Sequence, residues 1–179
     1  MIRRAATVML FLAGSIPARA ADLDMAARQM AGLFTQACLL EAGDAAAQIK
    51  FLEDHHVPHL PSAGLAIFLQ KRPGVGYDAS NGSGRLAVTV ENNGVCTVYS
   101  DSAATADAFP ALDALVPNSG MAVAGMRAHD RSPTEHFRDY ILTKDARRFT
   151  LVASTSEGPG TMKAIFSVSP RNPSDDAPR

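Results

Sequence analysis

Leu86-Ala87-Val88-Thr89-Val90-Glu91-Asn92-Asn93-Gly94-Val95-Cys96-Thr97-Val98 is the stretch whose reading decides the fold. Leu86, Val88 and Val90 alternate with Arg85, Ala87, Thr89 and Glu91, the period of two that gives a strand one apolar face. Asn92-Asn93-Gly94 is a three-residue hairpin connection, with Gly94 free to take positive φ. Such a loop sets Glu91 opposite Val95. Counting outward, Val90 faces Cys96 and Val88 faces Val98. The register that suits the turn therefore puts Cys96 on the apolar face.

Upstream the period changes to that of a helix. Over residues 23–42, Met30, Leu33, Phe34, Ala37 and Cys38 fall at i, i+3, i+4, i+7 and i+8, so Cys38 lies on the buried stripe. Gly43 ends this helix, and Asp44 is a good N-cap for a second one running to about His55. Pro58 and Pro61 break it. Residues 62–70 are apolar and read as a short helix beginning near Pro61. Residues 72–84 carry five glycines or prolines together with Asp78, Ser80 and Asn81, and read as a long loop.

Downstream of the hairpin, Asp101 or Ser102 can cap a third amphipathic helix over 103–115, with Phe109, Leu112 and Leu115 inward. Pro110 lies inside this helix and can shift its start to that point. Pro117-Asn118-Ser119-Gly120 ends it. Four short strands are expected at 121–128, 137–143, 149–155 and 162–168, joined by turn-like segments at 131–134, 144–147 and 157–160. Short connections make neighbouring strands antiparallel. The class is α+β: N-terminal helices and one inserted helix on one face of an antiparallel sheet of about six strands.

The ends of the chain read differently from its middle. Arg3 and Arg4, the apolar run Ala5–Ala13, Pro17 and Ala18-Arg19-Ala20 have the layout of a secretory signal peptide cleaved near Ala20. Residues 21–169 then form a single domain, and the proline-bearing stretch 170–179 is expected to be a disordered tail. Cleavage removes Arg3, Arg4 and Arg19 and takes the formal charge from −1 to −4. A mildly acidic chain is a poor binder of nucleic acid, and no later apolar run is long enough to span a membrane. The expected location is the periplasm or the medium. In such an oxidising compartment two cysteines normally pair. Cys38 and Cys96, both pointing inward, are expected to form a disulfide that pins the first helix to the sheet. Closing a loop of nearly sixty residues is worth roughly 4 kcal/mol in the chain-entropy treatment.

The segment Asp54-His55-His56-Val57-Pro58-His59 holds three of the five histidines. Imidazole is the commonest metal ligand, so His55, His56 and His59 are a candidate zinc or copper set, with His129, Glu135 and His136 as further candidates elsewhere. The competing reading is a solvated helix end, where histidine interacts well with the helix dipole. No His-Glu-x-x-His pattern is present, and Gly82-Ser83-Gly84 lacks the spacing of a nucleophile elbow. The sequence therefore leads to an exported, non-catalytic protein that contacts another protein or an envelope component. The alternative is a metal- or small-ligand-binding protein using His55–His59.

Overall fold

The hairpin forms in the register that its turn requires. In the computed structural model, which describes residues 23–159 and 162–171, β2 (Leu86–Glu91) pairs antiparallel with β3 (Cys96–Ser100), with Val90 opposite Cys96 and Val88 opposite Val98. Glu91 N–H donates to Val95 O at 2.8 Å, and Gly94 takes φ 84°. The remaining elements are α1 (Met25–Phe34), α2 (Ala45–Asp54), α3 (Ser62–Leu69), β1 (Gly74–Asp78), α4 (Thr105–Leu115), β4 (Ala122–Ser132), β5 (Glu135–Lys144), β6 (Arg147–Ser156) and β7 (Ala164–Pro170). Strand order is β1-β2-β3-β7-β6-β5-β4, antiparallel at every pairing.

The class is α+β, with seven strands rather than six. The additional strand is β1, inside the stretch expected to be a loop. Its glycines serve close approach rather than a turn. A Cβ on Gly74 would lie 2.4 Å from Val90 O, and one on Gly76 would lie 2.9 Å from both Leu60 Cδ1 and Leu65 Cδ1.

Val75, Tyr77, Val88, Val90, Cys96, Val98 and Phe166 share one face of the sheet through the ladder. On that face α1, α2 and α4 form the helical layer, with Phe34 edge-on to Phe166 at 5.6 Å between ring centroids. The helix expected over 23–42 is α1 followed by a π-helical turn, Thr35–Leu39, in which Leu40 N–H bonds back to Thr35 O. Cys38 sits in this turn and forms a disulfide with Cys96; both are fully buried. Gly43 and Gly94, both at positive φ, approach each other closely. A Cβ on Gly94 would fall 2.8 Å from Gly43 O.

Asp44 caps α2 as expected, accepting from Ala47 N–H at 3.0 Å. The start of α4 differs from expectation. Asp101 is engaged by Arg85, and Ala104 N–H is instead met at 3.1 Å by Asp24 Oδ2. The same carboxylate caps α1 through Ala27 N–H at 3.0 Å, so one side chain ties two helix starts together. Pro110 is exposed within α4 and does not shift its beginning.

The helix α3 departs from the single helical layer and lies on the opposite face of the sheet, over Gly76 and Tyr99. The chain reaches that face by running along the outer edge of β1. Asp78 N–H donates to Pro58 O at 2.7 Å, Leu60 N–H to Gly76 O at 2.9 Å, and His59 bridges to Tyr77. Pro58–Leu60 thereby closes one edge of the sheet. β7 runs through Pro170; the expected signal segment 1–20 and most of the expected tail lie outside the described residues.

Candidate functional site

The histidine segment is spread over three different local tasks. His55 follows the last turn of α2, with Nδ1 2.8 Å from Phe51 O and its ring 4.2 Å from the Phe51 ring. His56 takes φ 54° at the exposed turn. His59 stacks on Tyr77 at 4.7 Å, beside the edge it helps to close. His129 and His136 lie on opposite faces of the β4–β5 ladder. His129 stacks on Phe137 at 5.3 Å and lies 3.6 Å from Asp139, while His136 Nδ1 is 2.7 Å from Asp130 Oδ1. Among the described residues, no three His, Cys, Asp or Glu side chains group as a metal-holding set. Ser83 sits in the tight turn after β1, its N–H held by Asn81 Oδ1 at 2.9 Å.

The least expected feature lies at the other end of the sheet. β4 is an edge strand of eleven residues, none of them buried. Met121, just before it, is buried and anchors its base. The helical layer stops one strand short. Asp113 of α4 reaches only β5, bonding to Arg138 and accepting from Tyr140 Oη at 2.7 Å. Burial, followed by this bond to a carboxylate, pushes the Tyr140 phenol up to about 12; Arg138 opposes the shift. Beyond that junction β4 projects with no helix of the described residues over either face.

The exposed strand is divided chemically. Its first half, Ala122-Val123-Ala124-Gly125-Met126, carries no charge, and Val123 and Met126 are 50% and 55% exposed. Its second half carries Arg127, Asp130 and Arg131. Asp130 is held by His136, and Arg131 lies over Phe137 at 5.8 Å. Ladder register shifts occur between Val123 and Gly125 and between Asp130 and Ser132. Charges and bulges are common guards against unwanted edge pairing; one register shift falls in each half of β4, but the charges lie only in the second. An apolar strand reads as buried from sequence alone, so no local signal marks this one as bare.

No helix among the described residues is long and apolar enough to cross a membrane. Compared with known proteins, the chain matches no family model, no curated protein and no solved structure.

Proposed function

We propose that this is an exported, disulfide-closed binding protein that works by contacting another protein, and that the contact is made by adding a strand to β4. The observation that carries this reading is the contrast between the two sheet edges. The β1 edge is closed by Pro58–Leu60, whereas β4 offers an eleven-residue edge with exposed apolar side chains. An open edge supplies affinity through main-chain hydrogen bonds, while alternate side-chain positions supply specificity. Val123 and Met126 are the side chains placed to give apolar contact.

A second copy of the chain is a poor occupant. Antiparallel pairing of β4 with itself at full overlap sets Arg127 opposite Arg127, and like charges directly opposed are destabilising. An uncharged or acidic segment of a different protein suits the edge better. The signal-like layout of residues 1–20 and the buried disulfide support an oxidising compartment.

The test is the size of the native assembly in extracts of cells carrying either the wild-type chain or Val123→Lys/Met126→Lys. The wild type is expected to elute in a complex larger than the monomer, and the variant, folded to the same melting temperature, as a monomer. A wild-type chain that elutes as a monomer, or a variant that stays in the complex, contradicts the reading.

A further inference from the structure

The two faces of the sheet are not equally sealed. The helix α3, Ser62-Ala63-Gly64-Leu65-Ala66-Ile67-Phe68-Leu69, has no charged side chain and buries only Leu69 fully; Ile67 is 67% exposed. It sits over the β1–β3 end of the sheet and leaves a cavity of about 230 Å³ beside it. Leu60, Phe68, Leu86, Ala87, Tyr99 and Met162 make the apolar lining, with Phe68 and Tyr99 in ring contact at 4.6 Å. This volume is below the roughly 300–1,000 Å³ of sites for drug-sized ligands, so the cavity suits a smaller molecule.

Its polar residues are Asp78, Ser80, Arg85 and Asp101. Arg85 is committed to Asp101, whose other oxygen accepts from Ser102 Oγ at 2.6 Å. That pair is neutral. Asp78 is held by its own turn, accepting from Ser80 N–H at 3.0 Å, and among the described residues no cation pairs with it. The Ser80 hydrogen bonds also hold the Asp78 carboxyl below the usual carboxylate range, so it is charged at neutral pH. The cavity thus combines aromatic walls with one net negative charge. Aromatic ring faces and an uncompensated carboxylate both attract an organic cation.

We propose that this cavity is a binding site for a small apolar ammonium compound, its hydrocarbon body against Phe68, Tyr99 and Leu60 and its nitrogen at Asp78. The stretch 72–84, whose four glycines and one proline read as a loop, contributes β1 and the turn that carry Asp78 and Ser80. The site is at the opposite end of the sheet from β4 and stands independently of the protein-binding reading.

The test is calorimetric titration of the disulfide-bonded protein with phenethylammonium, and with 3-phenylpropionate as a body of like shape and opposite charge. Phenethylammonium is expected to bind saturably and at least about tenfold more tightly than the carboxylate. Asp78→Asn keeps an oxygen for Ser80 N–H and so preserves the turn; it is expected to weaken the ammonium about tenfold or more, the scale of a lost charge-assisted hydrogen bond. Glu53→Gln, an exposed charge on α2, is expected to leave the affinity unchanged. Equal affinity for the two probes, no saturable binding of the ammonium, or an Asp78→Asn protein that binds as well as wild type would overturn the proposal.

Discussion

Gly94 meets two constraints at once. It holds φ 84°, and its missing side chain leaves room for Gly43. Gly120 also has positive φ, 72°, but faces open space. Gly120→Ala is therefore expected to cost about 1–2 kcal/mol, the left-handed penalty alone. Gly94→Ala is expected to cost more, because the added methyl also meets the Gly43 backbone, 2.8 Å from its carbonyl oxygen. Urea denaturation of the two variants orders them, and equal losses would show that the Gly43 contact is not tight. The charge of Glu91 offers a second comparison. Glu91 is buried and meets Arg72 at 3.2 Å, whereas the Lys50–Asp54 pair is exposed. Arg72→Ala is expected to destabilise by about 1–3 kcal/mol by leaving a buried carboxylate unpaired. Lys50→Ala is expected to cost under about 0.5 kcal/mol.

Tyr140 gives the chain a pH dependence of known sign. Its phenol titrates near 12 in the folded protein, against about 10 when unfolded. The protonated form is the one the fold favours, so its contribution is complete below about pH 10 and is lost as the pH rises toward 12. Tyr140→Phe should start less stable, without the bond to Asp113, and should lose less stability between pH ~9 and ~11.5. Some slope remains in the variant, because burial also raises the Tyr77 phenol. Denaturation curves at the two pH values check this, and an unchanged slope would remove Tyr140 from the account.

At the scale of elements, the hairpin and the bridge support each other. Val90 opposite Cys96 fixes which way the cysteine points, and the π-helical turn at Thr35–Leu39 presents Cys38 to it. Cys38→Ser/Cys96→Ser is expected to lower stability by about 2–5 kcal/mol, since the bridge closes a long loop of the unfolded chain. Guanidinium midpoints of oxidised wild type and variant measure the loss; a difference under about 1 kcal/mol would mean that other contacts hold α1 to the sheet. These features were legible in sequence because a period of two, a glycine turn and an Asp N-cap each leave a local trace. β1 was not legible: Gly74 and Gly76 look like turn residues, and only the tertiary contacts with Val90, Leu60 and Leu65 reveal them as strand glycines. The position of α3 was hidden for a related reason. A helix apolar on every side carries no pattern that says which face of a sheet it covers.

At the largest scale, among the described residues the helical layer covers β1 to β5 on one face, α3 covers one end of the other, and β4 is left outside both. Little of this candidate site could be read from the chain, because exposure belongs to the assembly of layers and not to any residue in the strand. The histidines illustrate the converse. Three imidazoles within five positions are prominent in sequence, yet His55 lies against Phe51 and His59 against Tyr77, with an exposed turn at His56 between them.

The most direct test of the strand-addition account is photo-crosslinking in cells of the source organism, with a photoreactive residue placed in turn at Val123, Met126 and the exposed α2 position Glu53. The account predicts one discrete adduct from Val123 and Met126, none from Glu53, and mass-spectrometric mapping of the adduct to a single extended segment of another protein. Adducts of equal yield from Glu53, an adduct with the mass of two copies of this chain, or no adduct from β4 would contradict it.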